Sequence, residues 1–143
     1  MVAVRSRNPG ENRTFLKASN EKALRPWRKA IARDALKAMG DDLPWDGPMR
    51  VFLTFTLGRP AAATNREHHT VPPDVDKLAR AALDALTGVV LADDARVVDL
   101  QSRKRYVGHP DALAAPGVRI TVERLGQQAR LSEAAGRAYP EGD

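Results

Sequence analysis

The sequence predicts a single compact α+β domain, in which a small mixed β-sheet packs against two main helices. Residues 24–39 and 75–86 place apolar side chains at helical spacing. Three further stretches have the length and alternation of strands. A chain of 143 residues suits one domain. We therefore expect a domain over residues 21–125, preceded by a flexible basic arm (1–20) and followed by a polar tail (126–143) that is frayed or disordered.

The N-terminal segment is basic and poor in apolar residues. Pro9 and Gly10 interrupt it, which predicts a flexible arm with one short strand at Val2–Val4. Residues 1–33 carry nine Lys and Arg against two Glu. A basic segment of this kind can hold a polyanion by its phosphates, and it is equally ordinary as a solvated surface.

The first helix is predicted from about Leu24 to Met39. Its apolar positions face one side and its cations the other, and Pro26 fits because it falls in the first turn. The inward set is Leu24, Trp27, Ile31, Ala35 and Ala38, and the outward set is Arg28, Lys29, Arg33 and Lys37. This pattern predicts an amphipathic helix with a basic outer face.

Three strands are predicted after this helix. Met49–Leu57 is bounded by Gly47–Pro48 and Gly58 and should bury Val51, Leu53, Phe55 and Leu57. The segment from Arg96 to Tyr106 alternates as a half-exposed strand. Gly117 to Leu125 should bury Val118, Ile120 and Val122. Residues 58–73 contain three prolines and no periodicity, which predicts a long loop of the kind that is often functional.

The second helix begins at Val75 and is ended by Gly88. It opens with the residues Asp74-Val75-Asp76-Lys77, and its exposed side carries Asp76, Arg80 and Asp84 at successive i+4 steps. Acids at a helix start and i,i+4 ion pairs are also common without any function.

A second acidic pair, Asp93-Asp94, follows the turn after this helix, so the chain has folded back and can approach it. Carboxylates gathered in one place repel one another unless a cation lies between them. The chain has no cysteine, which leaves oxygen and imidazole ligands. Hard oxygen ligands favour Mg²⁺ or Mn²⁺, the ions that assist phosphodiester hydrolysis.

Three blocks of this region resemble the RusA-like Holliday-junction resolvases, many of them phage-encoded. The blocks are Pro73-Asp74-Val75-Asp76-Lys77-Leu78, then Leu83-Asp84-Ala85-Leu86-Thr87-Gly88-Val89, then Asp93-Asp94-Ala95-Arg96-Val97-Val98. Their order and spacing agree with the family over residues 70–106, and the likeness extends over most of residues 15–125.

The resemblance implies a homodimeric, Mg²⁺-dependent endonuclease that resolves four-way DNA junctions by paired nicks. It implies metal binding by Asp74, Asp76 and Asp94, with Asp93 beside them. Family members often place Lys four residues after the second acid, where this chain has Arg80. Arginine can stabilise phosphate charge but cannot exchange a proton near neutral pH, so Lys77 is expected to share that work.

Two basic groups are predicted to contact DNA phosphates: Arg25, Arg28 and Lys29 on the first helix, and Arg103, Lys104 and Arg105 after the acids. Paired histidines, His68 and His69, could bind metal or DNA but are more often solvated. Trp27 and Trp45 could stack on unpaired bases, although Trp27 lies on the apolar side of its helix.

Two other functions fit the same residues. A non-catalytic DNA-binding module would use the basic surfaces and ignore Mg²⁺, and a flap or single-strand nuclease would share the chemistry with a different substrate. The sequence shows neither a membrane span nor a signal peptide, and predicts a cytoplasmic protein without a small-molecule cofactor.

Overall fold

The structure is a computed structural model that describes residues 3–5, 12–18, 24–61 and 65–126. It contains two long helices, α1 (Leu24–Met39) and α2 (Val75–Leu86). Its five strands are β1 (Ala3–Arg5), β2 (Asn12–Ala18), β3 (Met49–Leu57), β4 (Val97–Tyr106) and β5 (Gly117–Arg124). A short 3-10 turn, Asp94–Arg96, leads directly into β4.

The five strands form one mixed sheet in the order β1-β2-β5-β3-β4. β3 pairs antiparallel with β5 and parallel with β4, because the chain crosses over through α2 between β3 and β4. The predicted α+β domain with a mixed sheet and two main helices is therefore confirmed. β4 forms one edge of this sheet, and the acidic residues of interest lie close to its two ends.

The N-terminal segment differs from the predicted arm. Asn12–Ala18 form β2, which pairs with the whole of β5, from Asn12 opposite Glu123 to Ala18 opposite Gly117. β1 occupies Ala3–Arg5 rather than Val2–Val4 and pairs with β2. Main-chain hydrogen bonds to a neighbouring strand need no run of apolar residues, which is why composition did not reveal β2. Of the predicted tail, residues 127–143 lie outside the described part.

The core lies between the sheet and the two helices. Every residue predicted to face inward from β3 and β5 is buried, and α1 contributes Trp27, whose ring lies 5.7 Å from that of Phe55. On α2 the buried residues include Leu78, Ala82 and Leu86. Burying a large aliphatic side chain contributes about 1.5–3 kcal/mol, so this packing fixes α2 against the sheet.

Trp45 belongs to the core as well, and its proposed role in stacking on bases is wrong. Its side chain is 5% exposed, and its main chain hydrogen-bonds to Val90 and Ala92. These bonds bring the turn after α2 beside the segment that precedes β3. Gly88 makes this turn possible because its φ of 83° is strained for other residues. Within the described residues, no helix is long and apolar enough to cross a membrane.

Candidate active site

The first acidic pair lies at the N-terminus of α2. Asp74 occupies the N-cap position, but its carboxylate makes no capping hydrogen bond. Instead it forms an ion pair with Lys77, whose Nζ lies 3.4 Å from Asp74 Oδ2. Asp76 and Arg80 are exposed on the same helix, as predicted. The start of α2 therefore presents two carboxylates and two cations to solvent.

Lys104 on β4 fixes the position of this helix start. Its Nζ donates hydrogen bonds to the main-chain oxygens of Val71, at 2.8 Å, and Pro73, at 3.0 Å. Pro73 directly precedes Asp74. The ammonium group thus attaches the start of α2 to the C-terminal part of β4.

The second acidic pair lies at the opposite end of β4. Asp93 caps the 3-10 turn by accepting a hydrogen bond from the Ala95 N–H at 2.9 Å, and Asp94 is exposed within the turn. Arg96, the last residue of the turn, forms an ion pair with Asp46, with Nε 2.7 Å from Oδ1. The hydrogen bond from Arg96 holds the pKa of the Asp46 carboxyl below its usual range, and the same bond raises the pKa of Arg96. This turn is anchored to the chain that enters β3.

The two acidic pairs do not meet within one chain. From Val97 to Lys104 the strand runs about 23 Å at the usual rise per residue, and α2 spans about 18 Å between its ends. Among residues 3–5, 12–18, 24–61 and 65–126, no group of three or more His, Asp or Glu side chains is placed to hold a metal ion. The chain folds back after α2, as predicted, but it returns to the C-terminal end of the helix. A single described chain therefore does not fit a divalent metal by itself.

Asp84 lies outside both acidic pairs. Its carboxylate forms an ion pair with Arg28 of α1, with Nη2 3.4 Å from Oδ2. This contact joins the two helices at the surface. Lys29 beside it is exposed, while the side chain of Arg25 lies outside the described residues.

A cleft of about 730 Å³ lies beside the start of α2. Its walls are the segment Leu100–Arg105 of β4, the two histidines of the preceding loop, and Val75. Two buried polar atoms in it, Ser102 Oγ and Arg105 Nε, have no hydrogen-bond partner in the part of the chain that the structure describes. Buried polar groups normally have partners, so these two atoms are exceptions to the usual pattern.

The cations of this cleft differ in their contacts. Lys104 Nζ donates to the carbonyl oxygens of Val71 and Pro73. Arg103 forms an ion pair with Asp111, with Nη1 3.6 Å from Oδ2. Arg105 donates from Nη1 to the Lys104 carbonyl at 3.0 Å, and its Nε is buried without a partner among the described residues. The Lys104 ammonium, with two carbonyl partners, is therefore already engaged within the chain.

The paired histidines also differ. His68 is exposed, whereas His69 is buried against the ring of Tyr106, with the centroids 5.0 Å apart. Ser102, which sequence reasoning did not single out, lines the same cleft. Its only signal in the sequence is its position two residues after Leu100, on the same face of β4.

The chain is similar to a known family of DNA nucleases. The family model described as Endodeoxyribonuclease RusA matches residues 3–123, which is most of the chain. The match includes both acidic pairs, α2 and β4, and extends through the N-terminal strands. A search among curated proteins finds no match.

Proposed function

We propose, from the premise that the chain belongs to the endodeoxyribonuclease RusA family, that it resolves four-way DNA junctions with Mg²⁺ held by Asp74, Asp76, Asp93 and Asp94. Family membership makes the protein a Holliday-junction endonuclease that hydrolyses DNA and decides against a non-catalytic binding module. The metal, the residues that hold it and the assembly of the site are our proposals. The family match over both acidic pairs is the observation that carries them.

The exposure of the acids supports their role in metal binding. Asp74, Asp76 and Asp94 are exposed to solvent, and the Asp74 carboxylate does not cap its own helix. Carboxylate oxygens are the ligands that Mg²⁺ prefers, and it binds through few of them. When bound, the ion would activate water and neutralise charge on the phosphate.

The separation of the two acidic pairs supports a homodimeric enzyme. Each chain contributes an Asp74–Asp76 pair at one end of β4 and an Asp93–Asp94 pair at the other. Two copies related by a two-fold axis can bring the first pair of one subunit to the second pair of its partner. Two such sites would form, which is the number that paired incision of a junction requires.

The remaining polar groups would bind and orient the DNA. Lys77 and Arg80 lie on the same exposed helix as the acids and would stabilise charge on the attacked phosphate. Arg28 and Lys29 on α1 and Arg103 and Arg105 on β4 would contact neighbouring phosphates. Lys104 acts differently, as a positioning residue for the start of α2.

A cleavage assay tests the proposal directly. The protein is incubated with a synthetic four-way junction and a linear duplex of matched sequence, with and without Mg²⁺. We expect paired nicks in the junction only when Mg²⁺ is present, and an intact duplex. Cleavage of flaps or single strands with an intact junction would support the alternative nuclease. Full junction cleavage in a chelator would contradict metal dependence.

A further inference from the structure

The second acidic pair lies on a short turn that one side chain links to the segment before β3. Within the turn, Asp93 accepts a hydrogen bond from the Ala95 N–H, and the Arg96 N–H donates to the Asp93 carbonyl at 3.0 Å. In the part of the chain that the structure describes, one side-chain hydrogen bond leads out of residues 93–96. In it Arg96 Nε donates to Asp46 Oδ1 at 2.7 Å.

Asp46 is held in place on both sides before it meets Arg96. The main chain of Trp45 hydrogen-bonds to Val90 and Ala92, which fixes the preceding residue. The N–H of the following residue, Gly47, donates to the same Asp46 Oδ1 at 2.9 Å. Gly47 has a φ of 91°, which is strained for other residues. The carboxylate is therefore a fixed acceptor for the guanidinium.

A groove of about 410 Å³ lies between the turn and the chain that enters β3. Its two sides are lined by Asp46, Gly47 and Pro48, and by Ala95, Arg96 and Val98. Side chains do not fill this space, so apolar packing does not hold the two segments together there. The ion pair spans the groove and joins its two sides.

The exposure of this ion pair indicates a role in geometry more than in stability. The Arg96 side chain is 47% exposed and that of Asp46 is 71% exposed, and exposed ion pairs contribute little to the free energy of unfolding. Asp94, however, lies two residues before Arg96, so a displaced turn carries the Asp94 carboxylate with it. A misplacement of about 1 Å in an active site can cost about 100-fold in rate.

We propose that Asp46 and Arg96 are positioning residues that hold the turn, and with it Asp94, where DNA cleavage requires it. The inference rests on the proposed function for the assignment of Asp94 to the active site. Lys104 fixes the start of α2 at the other end of β4 in a similar way. Each acidic pair thus has its own cation, which binds a neighbouring segment of the chain.

Cleavage and binding measured on the same variants test the positioning role. Asp46→Ala and Arg96→Met should each lower the single-turnover rate on a four-way junction by about 10–100-fold, with junction affinity and the denaturant midpoint nearly unchanged. The double variant should cleave no more slowly than either single one, because both changes remove the same contact. Arg50→Met is the matched control. It removes a similar ion pair, with Nε 2.8 Å from Asp99 Oδ2, and should cleave normally.

Hydrogen exchange tests the same contact without DNA. The Ala95 N–H donates to Asp93 Oδ1 at 2.9 Å, so its exchange rate reports on the order of the turn. In Asp46→Ala and in Arg96→Met this amide should exchange faster than in the wild type. The amide of Leu53, in the middle of β3, should exchange at the wild-type rate in both variants.

A direct contact of Arg96 with a DNA phosphate makes the opposite prediction. Arg96→Met would then lose affinity and about 0.9 of the salt slope, whereas Asp46→Ala would free the guanidinium and cleave normally. That result would overturn the inference, and so would unchanged Ala95 exchange in both variants or faster exchange with a normal cleavage rate. If the wild type cuts no junction, the proposed function fails, and the exchange rates still show whether the ion pair holds the turn.

Discussion

Lys104 and Pro73 are joined by a hydrogen bond of 3.0 Å from the lysine Nζ to the proline carbonyl, and Lys104 reaches Val71 in the same way. A charged donor on an edge strand thus determines where α2 begins. Asp74 follows Pro73 immediately, so the location of the first acidic pair depends on a residue that need not touch DNA. Lys104 is part of a basic run that sequence reasoning assigned to phosphate contacts.

The variant Lys104→Met should therefore lose more than one positive charge. Hydrogen bonds to a charged group contribute about 1.5–3 kcal/mol, so we expect the free energy of unfolding to fall by that order. Cleavage should fall more than junction affinity, because the acids shift while the phosphate contacts remain. Denaturant unfolding and a comparison of single-turnover rate with binding measure both effects. Arg103→Met, matched in size and charge, should weaken binding and leave stability nearly unchanged; the reverse pattern would contradict the positioning role.

Neutralising one acid of each pair should abolish cleavage. In Asp76→Asn and Asp94→Asn the side chain keeps its size while losing its charge, so repulsion of phosphate decreases and junction binding stays equal or becomes tighter. Gel-shift and cleavage assays on the same junction separate the two properties. Asp84→Asn is the matched control, because Asp84 pairs with Arg28 and should retain cleavage. Normal cleavage by either of the first two variants would remove the proposed site.

Junction affinity should depend steeply on salt. Each phosphate contact that releases a counterion contributes a slope of about 0.9 in the logarithm of affinity against the logarithm of salt concentration. Lys29→Gln on the exposed face of α1 should lower that slope by about 0.9, which is the contribution of one phosphate contact. Titrations of both proteins at several salt concentrations give the comparison. Equal slopes would show that α1 lies away from the DNA.

The packing of α2 should be as important for the enzyme as its acids. Leu78 is 1% exposed and lies in the turn that follows Asp76. Leu78→Ala should cost about 2–5 kcal/mol of stability, since truncation of a buried leucine leaves a cavity. Leu36→Ala, at a 61% exposed position of α1, should change stability by less than about 0.5 kcal/mol. Similar losses in thermal unfolding of the two variants would contradict the described core.

Local patterns predicted the elements well and their assembly poorly. The bounds of α1 and β3 agree with the sequence prediction, because a helical or alternating apolar pattern is read from neighbouring residues. The pairing of β2 with β5 depends on residues that lie about a hundred positions apart, and no local signal records it.

The candidate site shows the same limit. The acids were found from their spacing and the family likeness, and the structure does expose them. The turn at Gly88 predicts that the two acidic pairs lie close together. In the structure the Gly88 N–H donates to the Leu91 carbonyl, and the chain returns to the C-terminal end of α2, whereas Asp74 and Asp76 lie at its N-terminal end. Which end of a helix a returning chain reaches is set by tertiary packing and is not visible in residue spacing.

A site shared between subunits makes a prediction that a site within one chain does not. Mixed dimers of Asp76→Asn with Asp94→Asn would contain one doubly altered site and one site with all its acids intact. The intact site takes Asp76 from the Asp94→Asn subunit and Asp94 from the Asp76→Asn subunit. The mixture should therefore nick one junction strand, although each variant alone is inactive.

The experiment requires subunit exchange, which is checked by giving one variant a purification tag and recovering the other with it. Nicked junctions should appear in proportion to the mixed dimer and should not progress to paired incision, because the second site lacks both acids. If all the acids of a site came from one chain, each subunit would be defective and mixing would restore nothing. Failure to nick in a verified mixed dimer would therefore place both acidic pairs of each active site in the same chain, after a rearrangement of α2 relative to β4.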